Sequence, residues 1–352
     1  MSVRVGVIGC GYWGPNLIRN FLHTPKCEMV VCCDKDEKML KRVSALYPDV
    51  QAVTDHEKLL DLDLDAVAIA TPVWTHYSLA KTFLQAGKHV FVEKPITRSS
   101  AECEDLIALA KARKKALMVG HTFEYTADVN KIKEIVESGE LGEVMYVSSS
   151  RLNLGLLQSD INVIWDLAPH DISIISYVLG KTPVSVNAQG KANFQDNIEE
   201  VAMTTLNYAD DTIAFIHNSW LHPNKIRNMV FVGTRKMLLY DDISQNETIK
   251  IFDKGVEKPK YYDTFGEFHF SYRYGDIYIP RIEKYEALGA ECGHFIDCIL
   301  NNKTPRSDGY SGLNVIRILE AANESLRQKG REVSIINTAS KVDTTRKMEY
   351  QG

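Results

Sequence analysis

The chain has 352 residues, 45% of them hydrophobic and 25% charged, with a formal net charge of −5. Those values describe a globular protein of two-domain length, and the mixed charges leave no basic tract to recommend nucleic acid or an anionic membrane as a partner. No apolar run approaches the roughly 20 residues of a membrane span, and the opening MSVRVGVIGCGYWG enters a strand pattern with no secretory h-region. The seven cysteines (Cys10, Cys27, Cys32, Cys33, Cys103, Cys292 and Cys298) are odd in number and form no CxxC pair. They read as free thiols in a reducing cytoplasm. No HExxH occurs and the histidines do not cluster at ligand spacing, so no metal is expected.

The first third alternates strand and helix patterns. Val3 to Gly9 is a β-rich run, Pro15 to His23 a helix, Met29 to Cys33 a second strand and Glu37 to Leu46 a second helix. Ala66 to Ala70, His89 to Val92 and Ala116 to Gly120 complete the buried strands, and Ser99 with Glu102 opens a helix as a capping box. Such alternation predicts βαβ units around a parallel sheet. After His121 the pattern changes. A helix from about Asp128 to Glu137 precedes strands at Val144–Ser150, Val184–Gln189, Val201–Tyr208, Thr212–Trp220 and Met229–Val232, and helices near Tyr285–Asn301 and Gly312–Gln328 close the chain. The expected architecture is α/β. Residues 1–121 form a Rossmann NAD-binding domain, and residues 122–352 form an α+β domain for substrate binding and oligomerisation, with a large, mostly antiparallel sheet.

Gly9, Gly11 and Gly14 form GxGxxG between the first strand and the first helix, the context in which that motif is informative. The first glycine permits the tight turn, the second close approach to a pyrophosphate, the third close helix packing. Pro15 suits a first helical turn. Asp34 ends the second strand twenty residues after Gly14, where a carboxylate accepts from ribose hydroxyls and repels a 2′-phosphate. NAD is therefore the expected cofactor, although Lys35 softens the repulsion. Tyr12 and Trp13 lie in the phosphate loop. Glu93-Lys94-Pro95 follows a buried strand, so Lys94 should project toward the cofactor from a strand's carboxyl end. Thr71-Pro72 ends an earlier strand in the same way, with Trp74 and His76 beyond it, and His121 follows the last strand.

WDLAPHD, residues 165 to 171, places Asp166 and His170 four apart with Pro169 between them. By themselves they read as a helix cap and a buried histidine. In sequence with the other motifs they carry more. GxGxxG, TP-x-x-x-H, EKP and D-x-x-x-H, in this order over essentially the whole chain, resemble the Gfo/Idh/MocA oxidoreductase family. GCGYWGPNLIRNF, WDLAPHDI, SYRYGDIYIP and ECGHFIDCILNNKTPRSDGYSGLNVIRILEAA are similar to members from bacterial surface-polysaccharide and nucleotide-sugar pathways.

The resemblance implies that Lys94 lies beside the nicotinamide, with Asp166 and His170 beside a sugar. A helix beginning near Trp165 would present both side chains at its N-terminal end, with Pro169 harmless in the first turn. A histidine near its ordinary pKa suits the hydroxyl proton, and lysine can stabilise the developing alkoxide without a metal. Arg151, Asn153, Trp165 and Tyr274 are candidate substrate contacts, along with Arg273. Arg151, Lys225, Arg227 and Arg281 are the cations available to a pyrophosphate. The expected activity is oxidation of a ring secondary alcohol, at C3 of a UDP-N-acetylhexosamine or its uronic acid. A free cyclitol or simple sugar is the alternative substrate, and a non-catalytic NAD-sensing regulator the alternative of another class. The expected assembly is a homodimer or homotetramer.

Overall fold

The structure, a computed structural model, describes residues 2–257 and 270–335. In the first part, β1 (Val3–Ile8), α1 (Gly14–His23), β2 (Cys27–Cys33), α2 (Glu37–Leu46), β3 (Gln51–Val53), β4 (Ala66–Ile69), α3 (Val73–Gln85), β5 (His89–Glu93), α4 (Ser100–Arg113) and β6 (Leu117–Gly120) follow one another. The six strands form an all-parallel sheet in the order β3-β2-β1-β4-β5-β6. β4 and β6 are buried throughout, as a sheet covered on both faces requires. The chain reverses direction in the order between β1 and β4, and their carboxyl ends open the crevice where a ligand binds. The sequence does not single out β3 and α3. β3 has three residues, and Val73, Trp74, Thr75 and Tyr77 blunt the helical pattern of α3.

The second part contains α5 (Ala127–Glu137), β7 (Val144–Leu154), α6 (Val163–Leu179), β8 (Ser185–Lys191), β9 (Val201–Asn207), β10 (Ile213–Ser219), β11 (Leu221–Gly233), β12 (Met237–Asp241), β13 (Ile249–Glu257), β14 (Ser271–Tyr278), α7 (Ala287–Asn301), α8 (Gly309–Arg327) and β15 (Val333–Ser334). Its nine strands run β14-β13-β12-β11-β7-β10-β9-β8-β15. Every neighbouring pair is antiparallel except β7–β10, so the sheet is mixed. The expected Met229–Val232 strand is the end of the longer β11, and β12 to β14 extend the sheet beyond it.

α6 and α8 cover one face of this sheet, against β7, β10 and β8. On the other face Tyr146, Met203 and Phe215 are exposed. The last two long helices return to the first part. Phe295 of α7 sits 6.4 Å from Phe21 of α1 and 5.8 Å from Phe91 of β5, ring centre to ring centre. α8 packs on α4 and β6 as well as on α6, and Ser307 accepts the Val119 N–H at 2.7 Å. This return packing seats α6 beside the carboxyl ends of the parallel strands.

Candidate active site

The glycine loop is shaped as its three positions require. Gly9 has φ +100, and a Cβ there would lie 2.5 Å from the Ala70 carbonyl oxygen. A Cβ on Gly14 would lie 1.9 Å from the Gly9 oxygen, whereas one on Gly11 would meet nothing within 4 Å. Gly9 and Gly14 are thus needed by the fold, and Gly11 faces open space. No side chain caps α1, which leaves its first N–H groups and positive dipole end for an anion. Asp34 is drawn to the same loop. Its Oδ2 accepts the Cys10 N–H at 2.6 Å and its Oδ1 the Asp36 N–H at 2.9 Å. Both oxygens keep lone pairs for ribose hydroxyls. Lys35 is exposed. Trp13 stacks on Tyr12, which is 91% exposed. These residues fit an NAD phosphate and ribose.

The floor of the crevice carries the EKP segment. Glu93 pairs in register with Gly120, and the missing Cβ at Gly120 makes room for its carboxylate, which would lie 2.9 Å away. Burial pushes the Glu93 carboxyl up to about 8, against the pull of Lys94. Burial also holds the Lys94 ammonium below its ordinary range, opposed by Asp166 and Glu93. Both side chains keep partial exposure to the crevice, which dampens these effects. His121 is buried, and neither ring nitrogen has a hydrogen-bond partner among the described residues. Burial, then Lys94, pushes it down to about 3.

His76, expected beside the cofactor, lies between the two loops that follow β4 and β5. Its Nδ1 lies 2.9 Å from the Pro95 oxygen and its Nε2 2.7 Å from the Thr71 oxygen, so neither nitrogen is free. Thr71 and Pro72 are thereby tied to EKP, and Trp74 stands 56% exposed at the start of α3.

Asp166 and His170 lie on α6, but the helix starts earlier than its sequence suggests. Asn162 is the N-cap, accepting the Trp165 N–H at 3.2 Å. Pro169 is therefore inside the helix, not in its first turn. It leaves the Trp165 carbonyl without its intrahelical partner. Asp166 is no cap. Its Oδ2 accepts the Trp220 indole N–H at 2.9 Å. The His170 ring meets Phe123 edge to face, centroids 5.1 Å apart. Burial holds the imidazole well below its ordinary pKa, helped by Lys94, Arg151, His121 and Arg227. Lys94, Asp166 and His170 are close enough for charge on one to be felt by another.

The remaining candidates divide. Arg151 is not a free cation. It is buried, its Nε 3.1 Å and 3.2 Å from the two Asp171 oxygens. Asn153, the penultimate residue of β7, lies near Gly155, and Trp165 packs on the core from the first turn of α6. Arg227 pairs in register with Arg151, so it faces the same side of the sheet, 3.5 Å from Asp242. Lys225 is exposed. Arg281 sits beside Tyr285 and Lys131 in a depression between α5 and the segment that joins β14 to α7. Tyr274 is 77% exposed on β14, four strands from β7 and so on the order of 19 Å away. It does not reach this chain's crevice. Arg273 is held there by Asp253 and Glu257. Among the described residues no group of three or more His, Cys, Asp or Glu could hold a metal, and no helix is long and apolar enough to cross a membrane.

Four residues packed around these groups are not among the candidates that the sequence offers: Phe123, Asp171, Trp220 and Glu291. Asp171 could have been found, as it adjoins His170. Trp220 lies 54 residues from its partner, and no spacing reveals it. Glu291, from α7, is fully buried and accepts from Thr122 Oγ1 at 2.8 Å.

A dinucleotide loop in register with its ribose carboxylate, opening onto a lysine, defines an NAD-binding oxidoreductase. Residues 3–121 match the family model for the NAD-binding Rossmann fold of the oxidoreductase family, and residues 129–239 match the GFO/IDH/MocA C-terminal domain. The chain belongs to the Gfo/Idh/MocA family, whose relatives here are dehydrogenases acting on CH–OH groups. It is 27% identical to UDP-N-acetylglucosamine 3-dehydrogenase of Acidithiobacillus ferrooxidans, over 90% of this chain and 95% of that protein. It is 24% identical to myo-inositol 2-dehydrogenase of Thermotoga maritima, over 93% of this chain and 97% of that one. A solved structure of the Acidithiobacillus enzyme superposes with a TM-score of 0.78 at 24% identity, over 94% of this chain and 99% of that one.

Proposed function

We propose that this protein oxidises a ring secondary hydroxyl of a sugar, at C3 of a UDP-N-acetylhexosamine or its uronic acid. The observation that supports the reading is that Lys94, at the carboxyl end of β5, feels the charge of Asp166 and is itself felt by His170. Gly9, Gly11, Gly14 and Asp34 hold the cofactor, which when bound supplies the hydride acceptor. Burial and the neighbouring cations hold the His170 imidazole below its ordinary pKa, which favours the neutral ring whose lone pair takes the hydroxyl proton. Lys94 donates to the reacting oxygen and stabilises the alkoxide. Asp166, oriented by Trp220, binds a neighbouring hydroxyl.

The 3-dehydrogenase activity of the Acidithiobacillus relative supports the UDP-sugar, and Arg227, half-exposed beside Asp242, supplies a cation on the substrate side. A free cyclitol is the second reading. It is favoured by the engagement of Arg151 with Asp171, which removes one of the cations a pyrophosphate would use.

The exposed sheet face bearing Tyr146, Met203 and Phe215 supports self-association as a dimer or tetramer, and the seven free thiols suit a cytoplasmic setting. Sedimentation as a monomer at micromolar concentration would refute the assembly. The substrate is tested by following reduced nicotinamide with UDP-N-acetylglucosamine, its uronic acid, myo-inositol, glucose and glucose 6-phosphate. Turnover confined to a UDP-sugar upholds the first reading. Turnover confined to inositol or free sugars replaces it with the second.

A further inference from the structure

Behind His170 lies a buried ion pair that the reaction as described does not use. Arg151 and Asn218 are register partners on β7 and β10, so both side chains rise from one face of the sheet toward α6. Asp171 comes down to meet them. It receives Arg151 Nε at 3.1 Å and 3.2 Å, Arg151 Nη2 at 3.1 Å and Asn218 Nδ2 at 3.2 Å. Arg151 is 6% exposed and Asp171 1%. The other side of the guanidinium lies over the Phe123 ring, 5.0 Å from its centre, and that ring meets the His170 imidazole.

A buried ion pair is a poor source of net stability, because desolvation consumes most of its Coulombic gain. Its location suggests a different use. Successive helical residues point about 100° apart, so anchoring Asp171 to the sheet fixes the rotation of α6 that turns His170 into the crevice. Such an anchor is needed at this turn, since Pro169 has removed a backbone hydrogen bond from it. Phe123 belongs to the segment joining β6 to α5, so the contact spans the junction between the two parts of the chain.

We propose that Arg151, Asp171 and Phe123 are positioning residues: the ion pair and the ring it clamps hold the His170 imidazole toward Lys94 and Asp166. The proposal rests on His170 as the proton acceptor. The clamp also sets the charge around the ring. The ring feels the charges of Lys94 after β5, Arg151 on β7, His121 after β6 and Arg227 on β11, Arg227 is paired with Asp242 from the turn after β12, and Asp166 and Asp171 lie on the same helix as His170.

The test uses the full chain with labelled histidine, its ring resonances assigned through His170→Asn, in Arg151→Met, Asp171→Asn and Phe123→Leu. Loss of the guanidinium charge is expected to raise the His170 titration, and Asp171→Asn, which leaves that charge uncompensated, to lower it. Phe123→Leu keeps the pair, so it still tests the clamp if Arg151→Met does not fold. It is expected to remove the ring-current shift of His170 and lower kcat about 10- to 100-fold, with NAD affinity within about twofold of wild type. Unmoved His170 resonances in these variants, or a fall in kcat matched by equal loss of NAD affinity, would overturn the proposal. If the ring responds as expected but His170→Asn keeps wild-type kcat and pH profile, the acceptor assignment fails, and this proposal with it.

Discussion

Trp220 donates its indole N–H to Asp166 across 54 residues of sequence, at 2.9 Å. The bond explains why an aspartate in the first turns of α6 faces the crevice and does not cap the helix. Trp220 is fully buried at the end of β10, so the direction of the carboxylate is set by the sheet. A hydrogen bond to a charged group is worth about 1.5–3 kcal/mol. Trp220→Phe is expected to lower kcat/KM for the sugar by roughly 10- to 100-fold and to leave NAD affinity unchanged, as measured by steady-state kinetics and cofactor titration. Equal losses in both would place Trp220 in general packing.

The glycine loop separates folding from binding. Gly11→Ala meets nothing within 4 Å, so the variant should unfold at the wild-type temperature while binding NAD at least about tenfold more weakly, because its methyl occupies the pyrophosphate approach. Gly14→Ala places a methyl 1.9 Å from the Gly9 oxygen and should lose several degrees of thermal midpoint, on the order of 2 kcal/mol or more. Calorimetry with and without NAD distinguishes the two. Equal destabilisation by both substitutions would contradict this division of roles.

In the proposed cofactor site, Asp34 sets the preference for NAD. Its replacement by serine removes a charge and the acceptors of the Cys10 and Asp36 N–H groups. Asp34→Ser is expected to weaken NAD binding by about 10- to 100-fold and to narrow the preference over NADP, whose 2′-phosphate the carboxylate repels. A variant with undiminished discrimination would assign that role elsewhere.

Buried carboxyls give the fold a pH dependence. Glu124 is 2% exposed, and burial pushes it from 4.5 to about 8, against Arg306. Glu93 moves in the same direction, and burial and the charge of Glu93 push Glu291 well above the carboxylate range. A carboxyl with a raised pKa in the folded state binds its proton more tightly there. The stability it contributes is full below about pH 4.5 and is lost as the pH rises through about 8. The thermal midpoint should therefore fall across that interval, and Glu124→Gln should flatten part of the fall in a calorimetric pH series. An unchanged slope in the variant would mean that Glu124 is ionised in the folded protein.

Much of this was legible in the sequence for identifiable reasons. Parallel strands buried on both faces read as apolar runs, so β1, β2, β4, β5 and β6 stand out, and the glycine loop announces the crevice between them. Lys94, Asp166 and His170 were visible as short motifs. Other features depended on long-range partners. The start of α6 is set by Asn162, whose amide also reaches Glu199 and Asn323, so Pro169 looked like a first-turn residue when it is an interior one. Arg151 has the appearance of a spare cation in the sequence because its partner Asp171 lies 20 residues away on another element. Nothing in SYRYGD marks Tyr274 as part of β14, at one edge of the sheet among the described residues.

The most direct measurement compares NAD reduction by wild type and by Lys94→Met at saturating cofactor, with whichever sugar of the panel turns over. Lys94 follows β5 at the carboxyl ends of the parallel strands, and in the proposed reaction it meets the reacting oxygen. Its loss is expected to lower kcat by about 10²- to 10³-fold, with NAD affinity preserved. A Lys94→Met protein that binds NAD and oxidises the sugar at the wild-type rate would contradict the assignment of this crevice as the place where the alcohol is oxidised.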